Sequence, residues 1–210
     1  MGQPFLPAGI GPALLSLVLA SLVVMGSPGP STISVTAIAS AFGLRRSLPY
    51  LAGIILGTCV VLLCVAAGLA SILLSQPRLS PWLIGLSSIY ILYLAYKIAT
   101  APPLAKADGE AAAPAFTGGL LLALANPKAY VAIAAVFAGA RLGLGSEGSE
   151  SLIKTAVLTI MIVLIHAGWS IAGASFARLL QRPVISRLVN LSFAAILAAS
   201  AAATLATVAR

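Results

Sequence analysis

Acidic side chains are nearly missing. The chain has 4 Asp+Glu in 210 residues against 12 Lys+Arg, and 8% of it is charged, where a soluble domain carries about 25%. Apolar residues fill the difference: 60% of the chain is hydrophobic and the mean hydropathy is +1.11. So little charge excludes a soluble globular protein and implies an integral membrane protein whose first partner is the lipid bilayer. The net charge of +8 would suggest nucleic acid in a soluble chain. Here the cations are scattered between apolar runs rather than gathered on a basic arm, so no nucleic acid partner is expected. Cysteine is scarce too. Cys59 and Cys64 lie in one apolar run, turned about 140° apart on a helix; they read as buried small hydrophobes, with neither a disulfide nor a metal site. With one histidine, no Cys/His grouping and no G-x-x-x-x-G-K-[ST] signature, the chain offers no catalytic constellation, cofactor site, metal site or direct ATP drive.

What is present is a series of apolar stretches of spanning length, about 20 residues each. They run from Ala13 to Gly43, interrupted by "SPGPS", then over 48–75, 79–100, 116–140, 151–178 and 184–208. Six spans in a single transporter-like domain, all-α, leave almost nothing for a soluble part. "APPLAKADGEAAAP", 101–114, reads as a linker that splits the domain into halves at 1–100 and 115–210. "RLGLGSEGSE", 141–150, reads as a polar loop. The N-terminus lacks the basic region and cleavage site of a secretory signal and is expected in the mature protein. Lys and Arg favour both termini outside: seven (Arg45, Arg46, Lys97, Lys106, Arg178, Arg182, Arg187) fall on the inner side against four (Arg78, Arg141, Lys154, Arg210) on the outer, a count that reverses if "SPGP" instead divides a full span from an interfacial helix. Three spans per half means that related halves must be inverted in the membrane, and each half opens with a span broken at a proline, Pro28 and Pro127.

The fourth span holds the more informative break. Phe116 to Asn126 covers about 15 Å of helix, half of a hydrocarbon core of about 30 Å, so Asn126-Pro127-Lys128 falls near the midplane. Proline stops the first half-helix, while Asn as N-cap and Pro at the first position start a second. Broken backbone at that depth requires cover by protein or a wet cavity. Lys128 beside the positive end of the new helix is poorly placed for stability, at roughly 2.5–3.5 kcal/mol of insertion cost. It is well placed to hold a carboxylate together with the helix N–H groups. The first break repeats this chemistry with Ser27, Pro28, Gly29, Pro30 and Ser31, followed by Thr32. Two polar helix ends at mid-depth are the sequence form of a secondary-transporter substrate site.

These stretches carry a resemblance. "SPGPSTISVTAIASAFGLRRSLPYLAGIILG", "SIYILYLAYKI" and "FTGGLLLALANPKAY" resemble, in order and spacing over nearly the whole chain, the LysE/RhtB-type amino acid exporters, with their P-G-P and N-P-K motifs. The resemblance implies efflux of amino acids or related metabolites across the cytoplasmic (inner) membrane, driven by an ion gradient, commonly of protons. Two positions depart from it: Ser31 stands where the family usually has Asn, and Thr58 where many members have Asp.

A carboxylate proton relay is not expected, because Asp108, Glu110, Glu147 and Glu150 all lie outside the spans as read. His166, near mid-depth in the fifth span, is the candidate proton carrier, with a neutral His bonded to a helix carbonyl as its alternative. Tyr90, Tyr93 and Lys97 lie within about 60° on one helix face, and Thr58, Tyr93 and Trp169 are candidates to line the cavity; interfacial anchoring explains the tyrosines and Trp169 equally well. Gly53 and Gly57 form a G-x-x-x-G pair suited to close helix packing. The sequence therefore points to a proton-coupled secondary exporter of an amino acid or similar small carboxylate, working by alternating access. A non-transporting membrane subunit or a channel-like facilitator is the alternative, and the small-residue sixth span leaves room for a homo-oligomer.

Overall fold

The computed structural model describes residues 10–68, 80–100, 114–176 and 183–206. These form eight helices and no strand: α1 Ile10–Val24, α2 Pro30–Phe42, α3 Leu44–Ala66, α4 Ser80–Ala99, α5 Phe116–Ala125, α6 Pro127–Gly139, α7 Glu147–Phe176 and α8 Pro183–Ala206. The linker read at 101–114 falls almost wholly outside the described residues, as do the far end of the second span and Arg78, Lys106, Arg178, Arg182 and Arg210.

Two helices, Leu44–Ala66 and Glu147–Ser175, are long and apolar enough to cross a membrane, and α5 with α6 gives a third if the pair is one span. That pair bends by 62° at Asn126. The bend is written locally: Asn126 leaves the helical region (φ −82°, ψ 102°), its side chain accepts the Lys128 N–H, and Pro127, which has no N–H to lose, takes the first helical position. Asn126→Ala is expected to destabilise the protein by about 1 kcal/mol through this cap alone, measurable as a lower thermal midpoint in detergent.

At the first break the helix resumes at Pro30, not at Pro28. The sequence offers two prolines, and the cap decides between them: the Thr32 hydroxyl accepts the Gly29 N–H at 2.9 Å and donates back to the Gly29 carbonyl at 3.2 Å. Pro30 and Ser31 thus belong to the first turn of α2. Two other boundaries move. α3 begins four residues before the expected Leu48 and carries Pro49 inside its second turn, at the cost of the one backbone hydrogen bond that a residue there would donate to the Arg45 carbonyl. α7 begins at Glu147 because the Ser146 side chain accepts the Ser149 N–H at 3.1 Å. Glu147 and Glu150 are therefore helical and lie at the head of an apolar spanning helix rather than in a loop. Glu150 pairs with Lys154 at 2.7 Å, and Lys154, itself buried, lies 5.3 Å from the Phe137 ring centroid.

The core divides in two. One apolar cluster joins α2, the first half of α3, α4, α5 and α8 through Ile38, Tyr50, Ile54, Leu94, Leu122 and Leu197. The other joins α1, the second half of α3, α6 and the first half of α7 through Leu17, Val61, Leu62, Ile133 and Leu158. Each broken pair sends one member to each cluster. All 13 residues of α2 are buried. α3 crosses α5 with no room for side chains: a Cβ on Gly53 would strike the Phe116 carbonyl, one on Gly57 the Ala123 side chain, and one on Gly119 the Tyr50 carbonyl. This is the close backbone approach that small residues permit. Cys59 and Cys64 are free and half-buried.

Candidate functional site

Between the breaks a cavity of about 40 Å³ opens, its apolar side drawing on the second cluster. Its polar wall is Ser27, Ser31, Thr32, Thr58, Asn126, Lys128 and His166; Met25, Gly29, Ala129, Ala132, Ile133, Ile162 and Ile165 complete it. Residues about a hundred apart in sequence are thereby joined by direct bonds. The Asn126 side-chain amide donates to Ser31 Oγ at 2.9 Å, so the N-cap of α6 also ties the first turn of α2. The Lys128 ammonium donates to the Ser27 carbonyl at 2.8 Å, to Ser27 Oγ at 2.9 Å and to the Pro28 carbonyl at 2.7 Å.

That last set changes how Lys128 is understood. An ammonium has three N–H groups, and all three have acceptors. The carbonyls beyond the end of α1 have no helical partner, and the lysine satisfies two of them. The cation at a helix N-terminus is thus stabilised by the carbonyl end of another helix, so an anion is not needed to account for its presence. Trp169 performs the same service for the neighbouring carbonyl, donating its indole N–H to Gly26 O at 3.1 Å. It sits beside the cavity, at the first break, rather than among the lining residues. The Thr36 hydroxyl, which donates to the Thr32 carbonyl at 2.8 Å, shares its proton with the Trp169 carbonyl at 3.2 Å, where α7 lies against α2.

His166 is 5% exposed and turns its ring to the cavity. Its Nδ1 lies 2.8 Å from the Ile162 carbonyl. A carbonyl only accepts, so Nδ1 carries the hydrogen and Nε2 is the nitrogen left to take or release a proton. Thr58, at 4% exposed, donates to the Ile54 carbonyl at 2.7 Å and so lends the cavity an oxygen rather than a free hydroxyl proton. Pro28 and Pro127 shape the two breaks without entering the wall as lining residues. Pro30 opens α2 in the buried interior.

Tyr93 is placed elsewhere. It is 51% exposed on α4, its ring 5.9 Å from that of Tyr90, and neither ring lines the cavity. Tyr90 instead faces α5, its hydroxyl over Gly118. The apolar wall has a signal that sequence reasoning can use: Ile162 precedes Ile165 by three positions and His166 by four, and Ala132 follows Lys128 by four, the spacings that share a helix face. Among the described residues no group of three or more His, Cys, Asp or Glu could hold a metal ion.

Residues 22–207 match the LysE type translocator family. The chain is 32% identical over 165 residues to a Cysteine/O-acetylserine efflux protein of Escherichia coli, covering 77% of this chain and 83% of that relative. It is 39% identical over 82 residues to a protein of the same name from Salmonella choleraesuis, a shorter match that covers 39% of this chain and 42% of the relative. No solved structure matches. With a match that runs through both breaks, the cavity between them and the helices that enclose it, the chain belongs to the LysE type translocator family.

Proposed function

We propose that this protein is a secondary active exporter of amino acids or related small zwitterionic metabolites across the cytoplasmic membrane, not an enzyme. In this reading six spans, arranged as two inverted three-helix halves with both termini outside, work by alternating access around the cavity. The observation that carries it is the meeting of both helix breaks, a cation and a histidine around one cavity. The division of each broken pair between the clusters supports the mechanism, since one cluster can loosen while the other stays packed. The substrate carboxylate is held by Lys128, the N–H groups at the start of α2 and the positive dipole end of α6, with Ser27, Ser31 and Asn126 as further polar contacts. His166 carries the coupling proton through Nε2. The relatives named for cysteine and O-acetylserine efflux favour small polar amino acids as the first compounds to try.

Efflux from cells preloaded with amino acid dipeptides, followed by counterflow in proteoliposomes, tests the reading. A carrier shows both. A channel-like facilitator shows efflux without counterflow, and a non-transporting subunit shows neither. In the same vesicles His166→Gln is expected to keep counterflow and lose the acceleration given by a pH gradient. Full gradient-driven export by that variant removes histidine from the coupling step.

A further inference from the structure

An amino acid brings a cation as well as an anion to the cavity, and no carboxylate among the described residues lines it to receive the cation. A primary ammonium in half-dry surroundings needs an acceptor for each of its three N–H groups. Such a place exists, and it is filled by the protein itself. Ser27 O, Ser27 Oγ and Pro28 O stand at 2.8, 2.9 and 2.7 Å from the Lys128 ammonium. All three belong to the connection between α1 and α2, just beyond the carbonyl end of α1, where the helix dipole adds negative potential. Gly29 keeps the approach clear, since a Cβ there would lie 2.7 Å from Lys128 Cδ and 2.8 Å from its Nζ.

We propose that this cradle is the receptor for the substrate's α-ammonium, and that Lys128 is a resident occupant which gives it up when substrate binds. The inference deepens the exporter reading, on which its choice of substrate rests. No covalent bond changes. The incoming ammonium takes the three oxygens, and the displaced Lys128 ammonium, anchored in the first turn of α6, turns to the substrate carboxylate. A ligand site is ordinarily about 300 Å³ or more, and the cavity of about 40 Å³ has room for no more than a few waters. Exchange therefore has to widen the space and undo the bonds that tie the first break to α6, so that binding and loosening are one event. The class selected is a carboxylate that bears a primary amine. A 2-hydroxy acid lacks the ammonium, and a betaine has the charge without the N–H groups.

Two measurements decide it. In wild-type proteoliposomes, flux of L-cysteine is compared with that of 3-mercaptolactate and of cysteine betaine; a discrimination of about 100-fold or more against both analogues is expected for a site built around those N–H groups. Comparable flux of either analogue overturns the cradle while leaving the exporter reading in place. Separately, purified Lys128→Met protein, whose cradle is vacated, is titrated with ethylammonium and with tetramethylammonium. Ethylammonium alone should raise its thermal midpoint by roughly 2–4 °C, with no shift in wild type, where the lysine holds the site. Equal responses to the two cations, or none in folded variant, overturn the proposal. This second test involves no transport, so it still decides the cradle if no amino acid is exported and the exporter reading fails.

Discussion

Lys128→Ala is expected to abolish export while the protein still inserts and folds. The two halves of that statement come from opposing energies. Removing the cation relieves roughly 2.5–3.5 kcal/mol of insertion cost at mid-depth. It also leaves the part-buried Ser27 carbonyl and the exposed Pro28 carbonyl without their donor, each at or below the low end of the about 1–3 kcal/mol for an unsatisfied buried group. The terms nearly cancel, so membrane abundance and thermal midpoint change little. In the proposed site function has no such compensation, because the charge assigned there to the substrate carboxylate is gone and of the bonds tying the two breaks only that between Asn126 and Ser31 is left. Efflux of labelled amino acid from proteoliposomes, normalised to the amount of folded protein, should fall by about 100-fold or more, as for a site left with its buried polar groups unpaired. Undiminished transport by this variant removes the site from the mechanism.

The second large effect is on folding. Gly53→Leu should destabilise the protein by more than about 3 kcal/mol, beyond the usual range for overpacking, because the new side chain meets main chain rather than a movable side chain. A Cβ at that position already strikes the Phe116 carbonyl and approaches Leu120 N at 2.8 Å. Neither can retreat without separating α3 from α5. The measurable outcome is loss of the monodisperse peak in detergent size exclusion. Gly85→Leu on α4, where a Cβ meets nothing within 4 Å, is the control and should behave as wild type.

Sequence reasoning reaches some of this site and stops short of the rest for identifiable reasons. The second break is legible because its cause is local: asparagine, proline and lysine in succession encode the cap, the missing donor and the cation. His166 is legible as the one histidine of the chain, set within an apolar run, and it lines the cavity. The start of α2 is not, since two prolines compete within four residues and a threonine hydroxyl settles the choice. Nor are the partners of Lys128, which lie about a hundred residues earlier; from the sequence alone it is a cation at the wrong end of a helix, and only tertiary structure supplies the carbonyls that stabilise it. Tyr93 shows a different limit. Spacing groups it with Tyr90 and Lys97 on one stripe, but spacing says nothing about which way the stripe faces, and Tyr93 turns outward. The G-x-x-x-G pair at Gly53 and Gly57 was readable as packing, though its counterpart on α5 was not, because Gly119 and Ala123 are hidden within an otherwise uniform apolar run.

The enclosure of α2 has one more consequence. A rod whose 13 residues are all buried, with only its first turn open to the cavity and the hydroxyls beyond that turn bonded to carbonyls of its own helix, has little free flank on which to slide. In the exporter proposed above it is the axle, and the movement falls to the parts that swing around it.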